Sequence, residues 1–123
     1  MEHYLDDINK GFMEPRPANH IPLTPLSFLP RIASIYPKRN AVVYGERKYN
    51  WSEVYERSVR LASAITNAGV KPGEVVTIMA PNIPEMFEAH FGVAMAGAVL
   101  NTLNTRLDTD TIAYILEHAD TRL

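Results

Sequence analysis

The sequence predicts an α/β fold, in which a parallel sheet built on a βαβ unit is flanked by helices. Glu74–Ala80 and Ala98–Leu103 are apolar and rich in β-branched residues, which is typical of buried strands. Pro84–Met95, between them, is rich in helix formers. Two strands joined through a helix normally pair in parallel with a right-handed crossover. We therefore expect Val75–Met79 to be a central strand and Val99–Leu103 to be its parallel neighbour.

The composition excludes several classes of protein. The chain has 123 residues, of which 46% are hydrophobic and 21% charged, and its net charge of -2 leaves no basic excess for nucleic acid or anionic lipid. The absence of cysteine excludes disulfides and thiolate metal sites, and it suits a reducing compartment. No apolar run reaches the ~18 residues of a membrane span, and the N-terminus lacks the apolar core of a secretory signal. We expect a cytoplasmic protein.

The first 25 residues are predicted to form an extended N-terminal arm. Four prolines between residues 15 and 25 disfavour helix in that stretch. A short helix, Ser27–Tyr36, follows, with its first residue as the N-cap. A start at Thr24 would place Pro30 inside the helix, so the later start is expected.

A hairpin and a long helix come next. Ala41–Tyr44 and Arg47–Asn50 flank Gly45-Glu46, which predicts two short antiparallel strands. Asn50, with Glu53 three residues later, forms a capping box for a helix that runs to residue 68. The residues expected on the buried stripe of this helix are Val54, Ser58, Leu61, Ala62 and Ile65. The residues expected on its solvent face are Glu53, Glu56, Arg57 and Arg60.

The helix of the βαβ unit is predicted over Ile83–Ala96, with Asn82 as its N-cap. Its apolar residues cover more than one stripe, which indicates burial on two sides. Small residues on and after this helix predict a close approach to a neighbour. These residues are Ala89, Gly92, Ala96 and Gly97.

A last helix, Thr109–Ala119, is predicted with Asp108 or Thr109 as its cap. Thr121–Leu123 then resembles the start of a third strand. A parallel βα pattern that ends in this way indicates that residues 26–123 are an incomplete subdomain of a longer protein. The residues expected to face inward from the last helix are Ile112, Ala113, Ile115, Leu116 and Ala119.

Residues that could carry out chemistry are scattered, and no catalytic, cofactor-binding or metal-binding residue is assigned. The chain has no Gly-rich phosphate loop and no nucleophile triad pattern. His90 is expected to be a hydrogen-bonded core or subunit-contact residue, and His118 to complement a helix dipole. Glu85 is interpreted as a helix cap and Glu88 as a surface residue.

A ligand is conceivable only at the carboxyl ends of the two predicted parallel strands. Pro81-Asn82 precedes a helix N-terminus that could receive an anion, although a loop fixed by proline and an Asn cap is the stronger interpretation. Asn101, Asn104 and Arg106 are expected in a polar loop after the second strand. Arg106 could pair with an acid or face a phosphate, and the sequence leaves both open.

Two motifs, in the same order along the chain, resemble the N-terminal part of the adenylate-forming superfamily of acyl-CoA synthetases. Residues 49–58, YNWSEVYERS, match its early (T/S)-aromatic-x-E-L motif, with Asn50 where Thr or Ser is usual. Residues 95–108, MAGAVLNTLNTRLD, match a later x-A-G-A-x-x-x-P-x-N motif, with Thr102 or Leu103 near the usual Pro. The likeness is greatest to short- and medium-chain fatty acyl-CoA ligases and to the methylmercaptopropionyl-CoA ligase and plant acyl-activating enzyme branch.

The resemblance implies an acid–thiol ligase, in which a carboxylate attacks the α-phosphate of ATP and the thiol of CoA then displaces AMP. It implies ATP, Mg²⁺, CoA and a small carboxylic acid for the full-length enzyme, and it allows a homodimer. The family's phosphate loop, nucleotide contacts, acyl pocket and catalytic lysine lie beyond Leu123. The chain alone is therefore expected to be an inactive scaffold that binds no cofactor and whose partner is the remainder of its own polypeptide. Two alternatives stay open: a stand-alone α/β binding or interaction module, and an enzyme that adenylates amino acids for a carrier protein.

Overall fold

The computed structural model describes His20 and residues 24–123, and it confirms the α/β architecture. The predicted arm, residues 1–25, lies outside the described residues except at His20, Thr24 and Pro25. None of the helices in the described residues is long and apolar enough to cross a membrane. The elements, in chain order, are α1 (Pro25–Ile35), β1 (Asn40–Tyr44), β2 (Arg47–Asn50), α2 (Trp51–Asn67), β3 (Val75–Met79), α3 (Pro84–Met95), β4 (Val99–Leu103) and α4 (Thr109–His118).

The predicted parallel pair of strands is confirmed. β3 and β4 pair along their whole length, with Val75 opposite Val99. On the other edge of β3, Thr121 forms a parallel bridge with Val75, and the Thr77 N–H donates to the Leu123 carbonyl at 2.8 Å. β3 is therefore central, and the expected third strand begins at the end of the chain.

The two connections after β3 and β4 cross the sheet in opposite directions. The chain runs from β3 through α3 to β4, and it returns through α4 to the opposite edge of β3. Since crossovers between parallel strands are right-handed, this reversal puts α4 on the opposite face of the sheet from α3. The reversal falls between β3 and the Thr121 segment, and the carboxyl ends of β3 and β4 lie at the edge of the sheet where open α/β folds bind ligands.

The core lies between α2, α3 and the sheet. Gly92 of α3 faces Leu61 of α2, because a methyl group at Gly92 would lie only 2.7 Å from Leu61 Cδ2. The expected close approach of the two helices is thus confirmed, and it depends on the missing side chain. α3 also packs against β4, which agrees with its predicted burial on two sides. The buried members of the core are Ile65, Val70, Val76, Ala89, Val93 and Ala98.

The hairpin and the capping box are confirmed as predicted. Tyr44 pairs with Arg47 across the Gly45-Glu46 turn. The Glu53 N–H donates to Asn50 Oδ1 at 2.9 Å, and the Asn50 N–H donates to the Glu53 carboxylate at 2.7 Å. The backbone N–H groups of Asn50 and Glu53 are therefore both satisfied by side chains close in sequence.

α1 begins earlier than predicted. Thr24, and not Ser27, is the N-cap: Thr24 Oγ1 accepts a hydrogen bond from the Leu26 N–H at 3.3 Å, and Pro25 occupies the first helical position. Pro30 consequently lies inside the helix. The expected start was wrong because two effects compete. A hydroxyl N-cap followed by proline favours helix initiation, and this gain outweighs the loss of the one hydrogen bond that Pro30 cannot donate.

The start of α3 also differs from the prediction. Ile83, and not Asn82, is the N-cap, and its side chain makes no capping hydrogen bond. Pro84 at the first helical position explains the shift, because a residue before proline is held in the extended region, as Ile83 is at φ -111° and ψ 164°.

α4 is capped by Asp108, whose carboxylate accepts from the Thr111 N–H at 3.0 Å. The inward face predicted for this helix is only partly formed. No residue of α4 is buried, and Ala113 is exposed. The periodicity of the sequence marks an apolar face, but the described residues do not cover it.

The contact between Gly92 and Leu61 predicts that alanine at position 92 destabilises the fold, which is the opposite of its usual effect in a helix interior. Gly92→Ala should lower the free energy of unfolding by about 1–3 kcal/mol through overpacking, although alanine normally stabilises a helix interior. In a Leu61→Ala background the same change should become neutral or stabilising. Urea denaturation of the four members of this cycle measures the coupling, and a stabilising Gly92→Ala in the unmodified chain would contradict the close approach.

Candidate functional site

An open polar cleft of about 580 Å³ lies at the carboxyl ends of β3 and β4. It lies at the edge of the sheet formed by the carboxyl ends of parallel strands, which is where open α/β sheets bind ligands. The residues that line it are Ala80, Pro81, Asn82, Met86, His90, Thr102, Leu103, Asn104 and Thr105.

The structure brings only some of the predicted polar residues into this cleft. Asn82 and Asn104 line it, whereas Asn101 lies within β4 and donates from Nδ2 to Thr77 Oγ1 at 3.0 Å. Arg106 is exposed, its N–H donates to Asn104 Oδ1 at 3.0 Å, and no ion pair of Arg106 occurs among the described residues. Asn101 therefore has a structural explanation in the sheet, and the expectation that it lies in a loop is wrong.

The N-terminus of α3 does not offer an anion site to this cleft. Pro84 at the first position has no N–H to donate. Glu85 lies in the first turn of α3, where its carboxylate supplies the negative charge that a helix N-terminus favours. The hypothesis of anion binding at Pro81-Asn82 therefore finds no support in the geometry.

His90 is exposed, so its predicted place in the core is wrong. His90 Nδ1 lies 2.8 Å from the Met86 carbonyl oxygen, so the Nδ1–H donates to that carbonyl and the neutral ring keeps Nε2 as an acceptor. With the amides of Asn82 and Asn104, the cleft can form hydrogen bonds to a polar group. Within residues 24–123 and His20, no group of three potential metal ligands occurs.

The main electrostatic feature is an ion-pair cluster that joins β2, α2 and α3. Arg57 Nε donates to Glu88 Oε1, whose side chain is only 6% exposed. Arg47 donates from both terminal nitrogens to the two oxygens of Glu85, at 2.9 and 3.4 Å. The Arg57 guanidinium also lies 4.7 Å from the centre of the Tyr49 ring. We call these five residues the ion-pair cluster.

The charges of the cluster shift the ionisation of its members. The hydrogen bond from Arg47 holds the pKa of Glu85 below its usual value of 4.5. The hydrogen bond to Glu88 raises the pKa of Arg57. The Glu85 carboxylate and the two guanidinium groups are therefore stabilised in their charged forms.

The sequence did not predict this cluster. Glu88 was expected at the surface and Arg57 on the solvent face of α2, but Glu88 is buried and Arg57 is half-buried against it. A signal was present, because Glu88 lies one helical turn before Gly92 and so shares the stripe that approaches α2. Glu85 is also not only a cap, since it pairs with Arg47.

The fold and the cleft together define part of a parallel α/β domain with an open cleft at the carboxyl ends of its strands. The model of the AMP-binding enzyme family matches residues 29–123. The chain belongs to the AMP-binding enzyme family, which agrees with the resemblance carried by its two motifs.

Characterised relatives are identical to this chain at about half of the aligned residues. The chain is 51% identical over 115 residues to acetate/butyrate–CoA ligase AAE7, peroxisomal, of Arabidopsis thaliana, covering 94% of this chain and 19% of that protein. It is 48% identical over 111 residues to 2-methylpropanoate–CoA ligase CCL4 of Humulus lupulus, covering 90% and 20%. The chain thus spans about one fifth of the length of these relatives.

Solved structures confirm the fold. A protein of Rhodopseudomonas palustris assigned as a long-chain-fatty-acid CoA ligase superimposes with a TM-score of 0.76 at 32% identity, over 80% of this chain and 25% of that one. The N-terminal subdomain of Klebsiella oxytoca NpsA superimposes with a TM-score of 0.73 at 24% identity, over 80% and 26%. The described residues therefore have the fold found within the N-terminal domains of such enzymes.

The burial of Glu88 predicts that neutralising Glu88 lowers the stability of the fold more than neutralising Glu85 does. Glu88→Gln should lower the free energy of unfolding by about 1–3 kcal/mol, because a buried partner of Arg57 loses its charge. Glu85→Gln is the matched control on the same helix and should cost less than about 1 kcal/mol, since that pair is exposed. Urea denaturation measures both, and equal losses would contradict the difference in burial.

The lowered pKa of Glu85 predicts part of the acid sensitivity. A folded-state pKa below 4.5 means that the Glu85–Arg47 pair stabilises the fold above that pH and loses its contribution as the pH falls through the folded-state value. Glu85→Gln should therefore give a shallower loss of stability with falling pH. Arg47→Gln should flatten the profile in the same way, and an unchanged profile in both variants would contradict the assignment.

Proposed function

We propose that the full-length protein is an ATP-dependent acyl-CoA ligase and that this chain forms part of its N-terminal domain. The observation that carries the proposal is the family match over residues 29–123, together with 51% identity to a named CoA ligase. In the reaction, a carboxylate oxygen attacks the α-phosphate of ATP, and pyrophosphate leaves. The thiol of CoA then attacks the acyl carbon of the adenylate, and AMP leaves.

None of the described residues of this chain is assigned to hold the cofactors of that reaction. The sequence has no Gly-rich phosphate loop, and the N-terminus of α3 is already complemented by Glu85. The described residues hold no cluster of ligands that suits Mg²⁺. We therefore assign ATP, Mg²⁺ and CoA to the full-length enzyme and derive no step of catalysis from residues of this chain.

The role of this chain is to build and hold a scaffold. Residues 26–123 form an α/β subdomain, preceded by the arm of residues 1–25, and the ion-pair cluster joins its hairpin to α2 and α3. The remainder of the polypeptide is its partner, because the chain covers about one fifth of its relatives' length. A homodimer of the full-length protein, which the family resemblance allows, is part of the proposal.

The substrate proposed for the full-length enzyme is a short- or medium-chain carboxylic acid, which places the enzyme in fatty acid metabolism. The named relatives with 47–51% identity act on acetate, butyrate and 2-methylpropanoate, all of them small acids. Benzoate, the substrate named for a relative at 46% identity, is a useful aromatic comparison.

The compartment proposed from the cysteine-free composition is the cytoplasm. Five of the relatives are named as peroxisomal, which makes the peroxisome the alternative. Imaging of the tagged full-length protein beside a peroxisomal marker distinguishes the two, and co-localisation with the marker would contradict the cytoplasmic proposal.

The ligase proposal predicts AMP release that depends on both an acid and CoA. The full-length protein should release AMP with butyrate, ATP, Mg²⁺ and CoA, and butyryl-CoA should form in equal amount. AMP release that is independent of CoA would overturn the ligase proposal, and transfer to a carrier protein instead of CoA would identify the alternative adenylation enzyme. The 123-residue chain alone should show no ATP turnover.

The scaffold role is tested in the same assay with the matched pair of glutamate variants. In the full-length enzyme, Glu88→Gln should reduce the amount of folded protein, and Glu85→Gln should leave it nearly unchanged. KM values for acid, ATP and CoA should be unaltered in both. A changed KM in either variant would show that the ion-pair cluster takes part in substrate binding.

A further inference from the structure

Thr121 lies at the junction between α4 and the sheet. Its N–H donates to the Leu116 carbonyl at 3.1 Å, and the Asp120 N–H donates to the Glu117 carbonyl at 3.0 Å. These two bonds form a Schellman motif, in which the residue that follows the helix adopts the left-handed conformation. Asp120 does so, at φ 49°. The backbone N–H of Thr121 is therefore committed to the helix, and its side chain can bond to the sheet.

Three side chains form a hydrogen-bonded row across the face of the sheet opposite α3. Val76 of β3 belongs to the core, so the next residue, Thr77, faces the other side. Asn101 Nδ2 donates to Thr77 Oγ1 at 3.0 Å, and Thr77 Oγ1 lies 2.8 Å from Thr121 Oγ1. A hydroxyl has one proton to donate, so the direction Asn101 to Thr77 to Thr121 uses each group once. We call these three half-buried residues the polar network.

The backbone pairing of the Thr121 segment, residues 121–123, with β3 is irregular. The N–H groups of Arg122 and Leu123 both donate to the Val75 carbonyl, at 2.9 and 3.4 Å. The bridge between Val75 and Thr121 defines the regular register, in which the next donor of β3 would meet the Arg122 carbonyl. That donor, the Thr77 N–H, bonds instead to the Leu123 carbonyl at 2.8 Å. The segment therefore carries one extra residue, which is a β-bulge.

Backbone hydrogen bonds alone do not select this bulged register. Both registers give the Thr77 N–H a carbonyl partner, so they differ little in backbone bonding. Apolar packing of α4 contributes little, because none of its residues is buried. The ion pair of Arg122 with Glu74 is 3.9 Å long and its arginine is 61% exposed, so it is weak. The half-buried bond between Thr77 and Thr121 is the contact that distinguishes the two registers.

We propose that the polar network fixes the Thr121 segment, and with it the C-terminal end of α4, in the bulged register on β3. Thr121 is the joint, because its N–H caps the helix and its hydroxyl holds the segment to Thr77. Without that hydroxyl, the segment slips by one residue toward the regular register. The polar network thus positions a helix that apolar packing within the described residues does not hold.

Hydrogen exchange in the full chain tests the joint. Thr121→Val removes the hydroxyl and keeps the shape of the side chain, whereas Thr121→Ser keeps the hydroxyl. Thr121→Val should speed exchange of the Thr77 and Arg122 amides about fivefold, as expected for the loss of one hydrogen bond, and Thr121→Ser should not. The Val99 amide, which donates to the Glu74 carbonyl on the other edge of β3, should be unaffected. Unchanged exchange, or equal acceleration at all three amides, would overturn the proposal.

The register itself is measured by the NMR coupling that passes through the hydrogen bond of the Thr77 amide. This coupling should join the Thr77 nitrogen to the carbonyl carbon of Leu123 in the original chain and in Thr121→Ser. In Thr121→Val it should move to the carbonyl carbon of Arg122 or disappear. Thr102→Val, the matched control, removes an exposed hydroxyl from β4 and should leave the coupling to Leu123 intact. An intact coupling to Leu123 in Thr121→Val would overturn the proposal.

Discussion

The buried carboxylate of Glu88 is the constraint on which the arrangement of helices and hairpin depends. A carboxylate removed from water must be paired, and Arg57 of α2 is the cation that reaches it. The apolar contact of Leu61 with Gly92 allows close packing but does not by itself define how far one helix slides along the other. The ion pair fixes that position, and Glu85 extends the same cluster to Arg47 of the hairpin.

Elements whose signals lie within a few residues were predicted well. The capping box of Asn50 and Glu53, the turn at Gly45-Glu46 and the register of β3 with β4 all follow from local chemistry or from the period of the strand. Where two local signals compete, their balance was misjudged. Thr24 and Pro25 start α1 in spite of Pro30, because the proline ring removes one hydrogen bond while the cap satisfies an otherwise unpaired donor.

The candidate site was also predictable only in part. The cleft at the ends of β3 and β4 was predictable, because parallel strands have their carboxyl ends at one edge of the sheet. The partners of individual polar side chains were less predictable: Asn101 bonds to Thr77 of the neighbouring strand, and Glu88 bonds to Arg57, 31 residues away. The spacing of Glu88 and Gly92 indicates which face of α3 approaches α2, but the partner itself is set by tertiary packing. The chemistry was reached through resemblance alone.

The described residues leave large apolar side chains exposed in several elements, among them Phe28 and Ile35 of α1 and Tyr114 of α4. α4 has no buried residue and lies on the opposite face of the sheet from α3. Parallel sheets are covered on both faces in complete domains. We therefore expect the remainder of the polypeptide to pack against α4 and to cover that face of the sheet.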